Sequence, residues 1–233
     1  MNGFGALCRK ELHALFTAPI AWVVIAVFLL LMGYNFTAWL FVGQNASLVR
    51  VLHQAAVLLL LFVPILTMRT FAEERRLGTL ALLLSTPAGE VAIVLAKFLA
   101  CGAVTAAMLV PTLAYPLVLQ VFGQPDWGAV YAGYLGLALL AGALIAIGLC
   151  ASAFAGSQVI AAVVALGVSI LLWALDALGQ LLPDPYDVVV VNGALLTHFV
   201  PLSTGVVYLS DIGYFLTLIL AGLFLCARAL ERP

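Results

Sequence analysis

Chemistry needs functional groups at workable spacing, and this chain has few. Nine Lys+Arg, ten Asp+Glu, three His and four Cys are spread over 233 residues. Cys8, Cys101, Cys150 and Cys226 form no CxxC pair and have no His at metal-ligand spacing, so neither a zinc site nor a disulfide framework is predicted. His13, His53 and His198 lie on separate segments and cannot share one metal. The only lysines, Lys10 and Lys97, are followed by Glu11 and Phe98, so the Lys-Ser/Thr of a Walker phosphate loop is missing. Ser152 and Ser169 lie in apolar runs with no His or intramembrane Asp in register as a base. No catalytic residue, metal ligand or bound cofactor is assigned, and the chain is expected not to be an enzyme. One segment stands apart: Arg69 to Glu90, RTFAEERRLGTLALLLSTPAGE, holds six of the nineteen charges.

The elements that must position that segment follow from composition. Hydrophobic residues make up 66% of the chain, charged residues 8%, and the mean hydropathy is +1.24. Soluble domains carry about 25% charged residues, so the chain is predicted to be an all-α integral membrane protein. A net charge of −1 offers no basic field for nucleic acid. The first apolar run is too long for a signal-peptide core and no small-residue cleavage site follows it, so the N-terminus reads as uncleaved. About 20 apolar residues span a bilayer, which places six spans near 20–42, 51–69, 91–121, 129–154, 159–182 and 206–228. With both termini on the inner side, that side holds Arg9, Lys10, Arg69, Arg75, Arg76, Lys97, Arg228 and Arg232, against Arg50 alone outside. Asn192, Gly193, His198, Pro201, Ser203 and Gly205 interrupt the uncharged stretch before the last span. Residues 183–205 are therefore expected as short outer helices or a re-entrant segment.

Residues 2–18 read as an amphipathic interfacial helix. Phe4, Leu7, Cys8, Leu12, Leu15 and Phe16 face one way, and Arg9, Lys10, His13 and Thr17 the other. Glu11 falls inside the apolar arc; it is either a snorkelling or Arg-paired carboxylate, or a contact to a neighbouring element at the inner interface. In the loop at 69–90, Glu73, Glu74, Arg75 and Arg76 extend the second span. Gly78 permits a break, and Thr79–Leu84 reads as a short apolar helix ending at Ser85-Thr86-Pro87. A charged turn before a greasy helix suits docking on a partner; the alternative is a solvated loop that enforces topology. Asp176 and Asp211, near the outer ends of spans five and six, are either solvated at the interface or line an outer vestibule. Small residues repeat in and after span four: Gly128, Ala132 and Gly136, then Gly148, Ser152 and Gly156. They favour close helix packing.

The run Pro64-Ile65-Leu66-Thr67-Met68-Arg69-Thr70-Phe71-Ala72-Glu73-Glu74-Arg75-Arg76-Leu77-Gly78-Thr79-Leu80, continuing to Ser85-Thr86-Pro87 and Lys97, resembles the signature of ABC type-2 permeases. More narrowly it is similar to their short six-span GldF-like and NosY-like branch. Thr112-Leu113-Ala114-Tyr115-Pro116, Pro125-Asp126-Trp127-Gly128, Gly133-Tyr134-Leu135-Gly136 and Ala146-Ile147-Gly148-Leu149 extend the resemblance over the whole chain, 1–233, as one permease domain. It implies the permease subunit of an ATP-driven exporter in a bacterial cytoplasmic (inner) membrane, multi-pass, with both termini cytoplasmic. The partners it implies are two copies of an ABC ATP-binding subunit, carrying the ATP and Mg, and a second copy or a related permease. Membrane lipid and an extracytoplasmic accessory protein complete the set; nucleic acid has no place in it. The resemblance makes the loop after span two a coupling helix, with Glu73, Glu74, Arg75, Arg76, Gly78, Thr79, Leu80, Leu83 and Pro87 docking on the ATPase and Glu11 nearby. Two positions depart from the family pattern: Ala81 stands where Glu is frequent, and Ala96-Lys97 where Gly-Lys is frequent. The alternative function is a membrane scaffold with no transport of its own.

Overall fold

The computed structural model describes residues 3–43, 48–80, 83, 89–122, 126–181, 183 and 186–231. Among them every regular element is helical. They are α1 (Gly3–Thr17), α2 (Pro19–Gly43), α3 (Val49–Thr67), α4 (Ala72–Arg76), α5 (Glu90–Leu109), a 3₁₀ turn (Val110–Leu113), α6 (Ala114–Phe122), α7 (Trp127–Phe154), α8 (Gln158–Gly179), α9 (Tyr186–Val191), α10 (Leu195–Ser203) and α11 (Leu209–Leu230). Six stretches are long and apolar enough to cross a membrane: Pro19–Leu40, Val49–Arg76, Glu90–Val121, Trp127–Phe154, Gln158–Gly179 and Leu209–Leu230. The chain is a multi-pass, all-helical membrane protein.

Burial sorts these spans. In α7 72% of the apolar window is buried, in α8 only 17%, so α7 is the central post and α8 a peripheral helix. α7 packs against α3, α5, α8, α10 and α11. Small residues let it do so. A Cβ on Gly136 would lie 2.9 Å from Leu202 Cβ on α10, and one on Gly148 would lie 2.8 Å from Thr67 Cβ on α3. The stripe expected from the sequence is thus occupied by neighbours within the same chain at these two positions.

Three local features shape the spans. Trp22 donates its indole N–H to the Phe16 carbonyl (2.8 Å), and the two rings meet edge to face, fixing the corner between α1 and α2. At Pro111 the third span tightens into the 3₁₀ turn, where Thr112 Oγ1 donates to the Leu109 carbonyl at 2.6 Å. The second span runs beyond its expected end near 69. After a turn at 68–71 it resumes as α4, because Glu73 and Glu74 in its first turn and Arg75 and Arg76 in its last complement the helix dipole. Half of the expected helix at 79–84 falls outside the described residues, as do Pro87, Asp184 and Arg232.

Candidate functional site

The site is built around Lys97. α5 carries it seven residues into an otherwise apolar helix, and only 2% of it is exposed. A buried ammonium must find partners for its three N–H groups, and this one finds three from three places. Nζ donates to Glu11 Oε2 on α1 (2.9 Å), to Glu74 Oε1 on α4 (2.8 Å) and to the Thr70 carbonyl in the turn between α3 and α4 (3.0 Å). It also lies 5.0 Å from the centre of the buried Phe71 ring. Lys10 adds a second cation, 3.1 Å from Glu11 Oε1 and 3.9 Å from Glu74 Oε1. Two ammoniums thus face two carboxylates, so the cluster is neutral as a whole. Glu74 Oε2 is buried with no partner among the described residues.

Burial alone would raise the Glu11 carboxyl. The Lys97 ammonium and its hydrogen bond, and then Lys10, outweigh that and hold it below its usual range. A carboxyl whose folded pKa is depressed contributes stability above its unfolded value, about 4.3, and loses it as pH falls through the folded value. The protection factors of the α1 amides in the detergent-purified chain, with exchange corrected for the intrinsic rate at each pH, should therefore fall on acidification below about pH 4. Glu11→Gln should remove most of that acid dependence; an identical profile in the variant would contradict the assignment.

The turn above Lys97 is tied down from the other side by Ser152 of α7. Its Oγ accepts from the Phe71 and Ala72 N–H groups and donates to the Met68 carbonyl, all at 3.1 Å. Ser152→Ala leaves two buried N–H groups without a partner, at about 1–3 kcal/mol each. A clear drop in the chain's thermal midpoint is the expected reading, with Ser152→Thr falling less. No drop would mean that water or backbone rearrangement replaces the hydroxyl.

The loop residues singled out from the sequence fall into two groups. Glu73 and Glu74 turn inward: Glu73 takes a two-pronged contact from Arg69 (2.9 and 3.1 Å), and Glu74 takes Lys97. Leu80 is half-buried and Leu83 buried, both against the core. Arg75, Arg76, Gly78 and Thr79 are exposed, as is Leu77 at 63%. Gly78 has φ +70°, a conformation that favours glycine, and Thr79 N–H returns to the Glu74 carbonyl at 3.0 Å to close the turn. Glu11, Leu15, Leu66, Arg69, Glu73 and Lys97 are among the lining of a cleft of about 340 Å³ beside the cluster.

Asp176 and Asp211 lie towards the other end of the bundle. They are held by adjacent residues of α10. Thr197 Oγ1 donates to Asp176 Oδ1 (3.0 Å), and His198 Nδ1 lies 2.8 Å from Asp211 Oδ1. His198 Nε2 reaches the Asn192 carbonyl at 3.1 Å, its ring stacks on Tyr214 at 4.1 Å, and Tyr214 Oη donates to the Gly193 carbonyl at 2.6 Å. The two carboxylates therefore clip α10 onto α8 and α11.

Sequence reasoning used Lys97 to orient the spans and as part of the family signature, but gave no structural partner for it, and had no contact for Thr70 or for the hydroxyl of Ser152. The available signal was a lone cation inside a span, which must be paired. Its partners, however, lie 23, 27 and 86 residues away on other elements.

Residues 6–187 match the family described as ABC-2 family transporter protein. The chain belongs to that family. Proteins of the ABC-2 family are membrane components that pair with ABC ATP-binding subunits and are generally not catalytic themselves. The matched stretch contains Glu11, the loop from Arg69, Lys97 and Ser152, and ends before α10. No curated protein matches the chain.

Proposed function

We propose that this chain is the transmembrane permease subunit of an ATP-driven exporter. It works beside a second copy or a related permease and is driven by two ATP-binding subunits, which carry the ATP and Mg. It lies in a bacterial cytoplasmic membrane with both termini inside, and residues 69–90 take up the motion of the ATPases. One observation supports this reading above others: the root of the loop is bonded to three separate elements. Lys97 joins it to α1 and α5, and Ser152 joins it to α7. A displacement at the tip would therefore be passed to the central span α7, to α5 and to the interfacial α1 rather than absorbed by a slack connection. α1, with Leu7 buried and Arg9, Lys10 and His13 exposed, suits an interfacial position beside the loop.

The test is reconstitution. The full chain, co-expressed with an ATP-binding subunit and extracted in mild detergent, should elute as one complex with ATP hydrolysis above that of the isolated subunit. If the ATP-binding subunit stays separate in detergent and in nanodiscs, the reading falls and a scaffold role takes its place.

A further inference from the structure

The run Glu73-Glu74-Arg75-Arg76 looks self-neutralising in sequence, but the fold divides it. Both acids are committed inward, to Arg69 and Lys97, while Arg75 and Arg76 are exposed and have no partner among the described residues. Next to them Leu77 is 63% exposed, and the chain reverses at Gly78. The tip is therefore an unbalanced pair of guanidinium groups beside one apolar side chain. Guanidinium forks are matched by carboxylates, and an exposed leucine by a shallow apolar pocket.

We infer that the partner surface receiving this tip is acidic: an apolar pocket for Leu77, rimmed by Asp or Glu carboxylates that pair with Arg75 and Arg76. This rests on the permease reading and names the chemistry of the ATP-binding subunit's receiving face. An anionic lipid headgroup is the competing occupant; the exposed Leu77 beside the two guanidinium groups, at a turn that follows a 19-residue helix and a further short one, favours a protein surface that offers both an apolar pocket and carboxylates.

The experiment measures binding of the ATP-binding subunit to the full chain in neutral-lipid nanodiscs from about 50 to 500 mM salt, within the range where exposed charge pairs become screened. Wild type should bind with an affinity that falls as salt rises. Arg75→Gln/Arg76→Gln should bind roughly tenfold more weakly at low salt and show a flatter salt dependence. Arg75→Lys/Arg76→Lys should retain the salt dependence with part of the affinity. Wild-type binding that neither salt nor the Gln variant changes would overturn the inference and leave the permease reading standing. Salt-dependent binding that appears only when phosphatidylglycerol is added would assign the arginines to lipid and also overturn it. No binding by wild type under any condition would remove both.

Discussion

Lys97→Met should destabilise the chain and uncouple the loop from the spans. The methionine matches the lysine stem in length but leaves Glu11 and Glu74 facing each other with only the exposed Lys10 between them. Removing one partner of a buried ion pair costs about 3–5 kcal/mol, most of it from the charge left behind. Lys97→Arg should rescue poorly, because a planar guanidinium cannot direct three N–H groups at acceptors lying 2.8–3.0 Å from one point. Glu11→Gln should then cost far less in the Lys97→Met background than in the wild type, since the first change has already broken the interaction the two share. Unfolding midpoints of the four variants in one detergent give the coupling directly. Additive losses would mean that Lys97 and Glu11 contribute independently.

The second large effect is expected at Gly148→Val. Here α7 meets α3 at Thr67, one residue before the Met68 carbonyl that accepts from Ser152. A Cβ at 148 would sit 2.8 Å from Thr67 Cβ and closer still to its Oγ1. Thr67 cannot swing aside: it is fully buried, and its hydroxyl donates to the Val63 carbonyl at 3.0 Å. Two spans must therefore separate, at about 1–3 kcal/mol or more for overpacking. Moving α3 there also strains the Ser152 bonds to Phe71 and Ala72. Hydrogen exchange should show deprotection at 68–76 as well as around 148. Deprotection confined to α7 would contradict the link. Gly156→Ala is the control, because nothing lies within 4 Å of a Cβ there.

Much of this architecture was legible before the structure, for a simple reason. A bilayer requires about 20 apolar residues per crossing, so nineteen charges were enough to locate six spans. The family was legible in the stretch from Pro64 to Lys97, and the match over 6–187 agrees with it. What stayed hidden was direction and pairing. Nothing in Glu-Glu-Arg-Arg says which side chains face the core. That depends on Lys97 and Arg69 lying inward of α4. Glu11 showed itself as an acid in an apolar arc, but its partner on α5 is set by tertiary packing across 86 residues. Ser152 looked like one small residue in a packing stripe, and only the unpaired N–H groups at Phe71 and Ala72 give its hydroxyl a role. His198 looked isolated because Asp211 lies 13 residues away, on another helix.

The central claim is that the loop root, α1, α5 and α7 move together when the ATP-binding subunits close. Electron–electron double resonance tests it with spin labels at the exposed positions His13 and Thr79, and in a second sample at Thr79 and Leu171 of the peripheral α8. Each is measured in the assembled complex, without nucleotide and with ATP trapped in a hydrolysis-deficient partner. The His13–Thr79 distance should stay constant while Thr79–Leu171 changes. In Lys97→Met the His13–Thr79 distance should broaden or shift on trapping. A wild-type complex in which trapping alters His13–Thr79 and leaves Thr79–Leu171 fixed would contradict the account.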